Sequence, residues 1–153
     1  MNWLWDFLTN PFLLTATGSW LIAQVAKTII HAIINKRWDW MRLIGDGGMP
    51  SGHSATVTSL AVLIALVYGA GSVEFAISAI LAIVVCHDAT GVRRETGKQA
   101  ILINELIKAF EALGTDELPE VKLKEFVGHT PIQVIFGMLL GAGNAFLMHA
   151  VLL

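Results

Sequence analysis

Charge is what this sequence has least of. Charged residues make up 14% of the 153-residue chain and hydrophobic residues 55%, with a mean hydropathy of +0.66. A soluble domain carries about 25% charged residues, so a water-facing surface of ordinary size is excluded. The formal charge is −2 and no run of Lys or Arg occurs. Nucleic acid is therefore not an expected partner. Cysteine occurs once, as Cys86 inside an apolar run, so no disulfide framework is available. The opening Met1-Asn2-Trp3-Leu4-Trp5-Asp6 lacks a basic segment, and no cleaved leader is expected. There is no internal repeat and no low-complexity tract, and the length is that of one domain, 1–153.

What the sequence has instead is long apolar runs, several approaching or exceeding the roughly 18 residues of a membrane-crossing helix. The expected fold class is all-α: an integral membrane helical bundle of about four transmembrane helices plus a cytoplasmic amphipathic helix. Trp3, Trp5 and Phe7 beside Asp6 form an interfacial mixture, and Pro11 stands where a helix can begin. The first span is 12–34. The second, about 54–68, is short unless 51–54 also enter the membrane. A turn at Gly69-Ala70-Gly71-Ser72 returns the chain into a third span, 73–88, and the last is 132–153. Between them, Gln99, Ala100, Leu102, Ile103, Leu106, Ile107 and Phe110 draw a helical stripe over 98–113, broken at 114–119. Gly137 and Gly141 permit close helix contact within the bundle.

One stretch stands apart: Gly47-Gly48-Met49-Pro50-Ser51-Gly52-His53-Ser54. Three glycines and a proline make it a tight turn, and the apolar run behind it predicts a helix capped by Ser51 or Ser54. A helix start of this kind presents free N–H groups and the positive end of a dipole, which suits an anion. In an up-down bundle three other helix ends fall on the same side. They bring Lys27 and His31, then Asp88, Arg93 and Arg94, then His129. Two histidines among cations can serve phosphoryl transfer: one attacks phosphorus and the other protonates the leaving oxygen. Arg and Lys neutralise phosphate oxygens, and Asp88 can fix a histidine tautomer. His31 and His87 read as packing or hydrogen-bonding residues.

Pro50-Ser51-Gly52-His53 resembles the P-S-G-H motif of the type 2 phosphatidic acid phosphatase and vanadium haloperoxidase superfamily. Residues 128–137, Gly-His-Thr-Pro-Ile-Gln-Val-Ile-Phe-Gly, resemble its G-x-H-x-P-x-D-V-x-x-G segment in compressed form. Asp88-Ala89-Thr90-Gly91-Val92-Arg93-Arg94 resembles a stretch of the superfamily's divergent bacterial and plant branch. Together the likeness covers 23–141 and implies a single phosphatase-like domain. It casts His129 as the nucleophile, His53 as the general acid, and Ser51 and the Gly52 amide as phosphate ligands. Lys27 takes the place of the first-motif lysine, with Arg37 or Arg42 as its arginine, and Arg93 or Arg94 supplies the third-motif arginine from a distance. Three departures stand out. Lys27 and Arg37 are further apart than usual with no Arg-Pro pair, Leu123 replaces the arginine six residues before His129, and Gln133 replaces the acid four residues after it.

The resemblance implies a membrane phosphatase that hydrolyses a lipid phosphate or pyrophosphate through a phosphohistidine, with no cofactor and no metal. The partners are the bilayer and a phosphorylated lipid, with a homo-oligomer left open. The competing reading is a non-catalytic lipid-phosphate-binding or scaffold protein, with Leu123 and Gln133 marking lost chemistry. A metal site of His53, Asp88 and His129 is disfavoured because Lys27, Arg93 and Arg94 repel cations, and haloperoxidase activity is the weakest reading.

Charge also orients the bundle. All ten Lys and Arg residues fall on or lean towards the side of His53 and His129, so the positive-inside rule makes that side cytoplasmic and puts both termini outside. A cysteine placed at either terminus should react with an impermeant reagent in intact cells; protection of both would reverse the orientation.

Overall fold

A computed structural model describes residues 2–45, 47–112, 123 and 128–152, without the side chains of residues 92, 93, 111 and 112. The described residues form six α-helices and no strand. These are α1 (Trp3–Leu8), α2 (Pro11–Asn35), α3 (Gly52–Tyr68), α4 (Val73–Thr90), α5 (Val92–Ala112) and α6 (Pro131–Leu152), with a 3₁₀ turn at Trp40–Leu43. Their starts are set by side chains that satisfy orphan N–H groups. Asn10 accepts from Phe12 N and Leu13 N at 2.9 and 3.2 Å, with Pro11 opening α2. Ser51 caps α3, and Ser72 caps α4 by accepting from Phe75 N at 3.2 Å.

The four long apolar helices run up and down. At one end Phe12 stacks on Tyr68 with ring centroids 5.6 Å apart. Nearby, Asn144 Nδ2 donates to Thr15 O and Ser19 Oγ at 3.2 and 2.8 Å. At the other end Ser51 N donates to Gln133 O, and His129 N to Ala89 O, at 3.0 and 2.9 Å. Hence α2 and α4 descend towards the end at which α3 and α6 begin. The stretches Pro11–Asn35, Val73–Phe110 and Pro131–Leu152 are long and apolar enough to cross a membrane. With 17 residues, α3 is shorter, about 25 Å. The chain is thus a helical membrane bundle in which the second span is the short one, as its sequence indicates.

Its interior is small and hydroxylic, its exterior bulky and apolar. Thr15, Ser19, Thr28, Ser54, Ser59 and Ser78 are buried, whereas Ile77, Ile80, Ile83, Leu139, Phe146 and Leu147 are exposed. This reverses the arrangement of a water-soluble core and is stable only against lipid. Most of the buried hydroxyls are paired, and Thr58 Oγ1 is the buried one without a partner among the described residues. Thr15, Thr28, Ser59 and Ser78 donate to carbonyls of their own helix at 2.7 to 3.0 Å.

α3 lies at the centre, packed on α2, α4 and α6. Its closest approach is to α6, along the Gly137 and Gly141 ridge. A Cβ at Gly137 would overlap Ser51 O, and one at Gly141 would overlap Ala55 O. The glycine spacing is therefore spent inside the chain.

The amphipathic helix departs from expectation at its start. α5 begins at Val92 rather than Lys98, so helix lies on both sides of Gly91, whose N donates to His87 O at 2.8 Å. Residues 92–97 lack apolar periodicity and give no helical signal of their own. Following α4 directly, they avoid the cost of a new nucleus. Ile101, Leu102, Leu106 and Phe110 of α5 are exposed, and its Asn104 is buried. Asn104 holds Leu123 by both backbone groups, at 2.9 and 3.0 Å. The break expected at 114–119 lies outside the described residues.

The ridge makes a prediction. Gly141→Ala should lower stability by about 2 kcal/mol, because overpacking outweighs the helix propensity that alanine adds. Gly143→Ala, whose Cβ meets nothing within 4 Å, should be neutral or stabilising. Thermal unfolding of both variants in one detergent measures the difference.

Candidate functional site

The 47–54 turn is built around a buried lysine. Lys27 is 5% exposed, and its Nζ donates to Gln24 Oε1 at 2.6 Å and to Gly45 O at 3.3 Å. Its aliphatic stem runs beneath Gly48, where a Cβ would stand 3.1 Å from Lys27 Cγ. Gly47 and Gly48 also have φ of 79° and 85°, so glycine is required there by conformation and by space. The Met49–Pro50 bond is cis. Ser51 Oγ then accepts from Ser54 N at 3.3 Å and Ser54 Oγ at 2.9 Å, which starts α3. Its own N–H is spent on Gln133 O, so the amides of the first helical turn after it, at Gly52 and His53, face the end of the bundle.

His129 enters from the opposite side. It is 5% exposed, and its backbone N is tied to Ala89 O at the end of α4. The ring centroids of His53 and His129 are 6.2 Å apart and tilted by 59°. Both histidines line a cavity of about 70 Å³ with Lys27, Gln24, Trp20 and Ile44. On the other side of His129 lies a second cavity of about 230 Å³, walled by Arg94, Gly97 and Lys98 of α5 together with Thr130 and Gln133. Gly47 and His129 are common to the two. An apolar groove of about 400 Å³ runs between α4 and α6, past Ile83, Cys86, His87, Val134 and Met138.

The structure therefore brings Lys27, Gly52, His53 and His129 around one cavity, with Arg94 reached through the second. Ser51 is fully buried and lines neither cavity; its bonds go to the α3 cap. Asp88 is half-buried in the last turn of α4, beside the Ala89 carbonyl that holds His129, and lines neither cavity. Arg37 and Arg42 likewise stand apart from both cavities, and the side chain of Arg93 lies outside the described residues.

Gln133 is the residue that motif matching undervalues. Its Oε1 accepts from Thr130 N at 3.0 Å, and Gln133 N donates to Thr130 Oγ1 at 3.4 Å. This is a capping box, and its Thr-x-x-Gln signature at 130–133 is readable in the sequence. A backbone N–H can only donate, so the amide atom facing Thr130 is the oxygen. The same oxygen lies 3.3 Å from His129 Nδ1. An oxygen in that position accepts, which favours the tautomer of neutral His129 with its proton on Nδ1 and its lone pair on Nε2.

The sequence profile of the Divergent PAP2 family matches residues 8–143, which include every residue of this site. The chain belongs to the Divergent PAP2 family. It is 42% identical over 145 residues, covering 89% of this chain and 92% of the relative, to an uncharacterized membrane protein of Bacillus subtilis, YuiD. No solved structure matches it. Membership in the Divergent PAP2 family agrees with a multi-pass membrane protein and with the motif likeness around His53 and His129.

The tautomer can be read directly. In ¹⁵N-histidine NMR at a pH where imidazole is neutral, His129 should show a protonated Nδ1 and a bare Nε2. Gln133→Leu should release it to a mixture of the two forms.

Proposed function

We propose that this Divergent PAP2 protein is a membrane phosphatase acting on a lipid phosphate or pyrophosphate, with its site on the cytoplasmic face. The observation that carries the reading is the pair His53 and His129, 6.2 Å apart at one cavity that also holds a buried lysine. His129 Nε2 attacks phosphorus, the P–O bond to the leaving group breaks, and His53 protonates the departing oxygen. Water then attacks the phosphohistidine, its proton passing to His53, and inorganic phosphate is released. Lys27 and the amides at the start of α3 face the charge that grows on the phosphoryl oxygens, and Arg94 approaches from the second cavity. Gln133 orients His129 through a dipole in place of a carboxylate charge, which supports turnover despite the departure from the acid at this position. Asp88 supports the segment that holds His129, and Ser51 supports the cradle through its cap.

The competing reading is a lipid-phosphate grip without turnover, and one experiment separates the two. Purified protein should release phosphate from lipid phosphates without added divalent metal, and vanadate should inhibit the release. His129→Ala should reduce the release at least about a thousandfold, and Lys27→Ala about a hundredfold. Binding of lipid phosphate with no release by the unmutated protein would favour the grip.

A further inference from the structure

We infer that Asn104 is a positioning residue for the site: by gripping Leu123 it fixes α5 along the second cavity, so that Arg94 faces a phosphoryl group bound beside His129. The inference rests on the reading above that phosphate oxygens lie at His129. Helix packing alone does not place α5. Among the described elements it packs against no helix but α4. It leaves α4 through Gly91, close to the Ala89 carbonyl that holds His129. From there Arg94, Gly97, Lys98 and Ile101 wall the second cavity at helical spacing, with Gly47, Gly48 and His129 in the same wall.

Asn104 continues that row, three residues beyond Ile101. It is 5% exposed, although Ile103 and Glu105 on either side of it are exposed. A buried amide is costly unless both of its ends find partners. Here Nδ2 donates to Leu123 O at 2.9 Å and Oδ1 accepts from Leu123 N at 3.0 Å, so one side chain takes up both backbone groups of one residue. Two such bonds fix the direction of approach as well as the distance. Leu123 stands six residues before His129, and six residues reach at most about 22 Å. Thus α5 is held by the chain that leads into the nucleophile. Asn104 lies ten residues, or about 15 Å, along α5 from Arg94. A tie so far from the α4 junction restrains the tilt of α5, and with it the direction in which Arg94 leaves the helix. The charge there is uncommitted: Lys98 is paired with Glu95 at 2.6 Å, whereas Arg94 has no partner among the described residues. Leu123 is also the residue that departs from the arginine of the motif likeness. The position supplies no cation of its own and serves as the handle for a helix that carries one.

A double-mutant cycle on the full chain in nanodiscs tests the role, read as kcat/KM on a lipid phosphate and as affinity for orthovanadate, a phosphate-like oxyanion. Arg94→Ala should lower kcat/KM about a hundredfold. Asn104→Leu, which keeps the size and removes both bonds, should lower it at least about tenfold, as misplacement of a group by about 1 Å does. The two together should fall no further than Arg94→Ala alone, within about twofold, because a misplaced arginine and a missing one are equivalent. Vanadate affinity should show the same pattern. Asn104→Ala, which opens space where leucine fills it, should give the same non-additivity, so the result does not hang on one variant folding. Gln99→Ala, an exposed change on α5 at a position lining neither cavity, should leave both quantities unchanged. Losses that multiply, or full activity in both Asn104 variants, overturn the positioning role while the phosphatase stands. If the unmutated protein binds vanadate without turnover, the phosphatase reading falls and the affinity cycle decides the role of Asn104. Neither turnover nor vanadate binding overturns both.

Discussion

The arrangement of this protein depends on how closely α3 can lie against α6. Two glycines one turn apart remove the side chains that would hold the helices off, and carbonyls of Ser51 and Ala55 fill the space. The contact sits at the start of α3 and in the first half of α6, and Ser51 N donating to Gln133 O locks it there. The next residue but one on α3 is His53, and four residues before Gln133 is His129. A backbone contact thus becomes a fixed separation between two imidazoles. Side chains with rotamer freedom would set that separation less sharply.

The same economy runs through the interior. Lipid gives helices no hydrophobic reason to associate, so packing and hydrogen bonds must hold them. Small hydroxylic residues allow close approach, and the hydroxyls of Thr15, Thr28, Ser59 and Ser78 return to their own helix carbonyls. Asn144 is an exception, bridging α6 to α2. Lys27 is another: its ammonium is kept within the bundle by Gln24 and Gly45 at the level where α3 begins. A buried cation is costly, and in membrane segments such residues are concentrated at functional sites.

Much of this was legible in the sequence because membrane helices announce themselves by length and hydropathy. The up-down order, the short second span, the Ser51 cap and the convergence of Lys27, His53 and His129 all follow from where polar residues interrupt apolar runs. Residues 92–97 were illegible as helix, since their helicity is inherited from α4 and not encoded in a periodic stripe. Ser51 shows a different limit. Its residue type suits both capping and phosphate binding, and only packing reveals that its hydroxyl points to Ser54. Gln133 seemed a loss when measured against a motif that has an acid there. Its two roles, closing a capping box and facing His129, depend on one oxygen reached by two donors, which is geometry that a one-dimensional pattern does not carry. Trp20 and Ile44 looked like ordinary apolar residues because nothing in their spacing ties them to a polar cavity.

One feature of the bundle reaches beyond the protein itself. Beside α2, about 37 Å long, stands α3, about 25 Å long, in a membrane whose hydrocarbon core is roughly 30 Å thick. The lipid next to α3 faces a hydrophobic mismatch and thins to meet it, at a fraction of a kcal/mol for each ångström. That mismatch is local, confined to the narrow side of α3 that α2, α4 and α6 leave uncovered. The thickness of the host membrane is thereby coupled to the protein: a thinner bilayer relaxes around α3, and a thicker one stores strain against it.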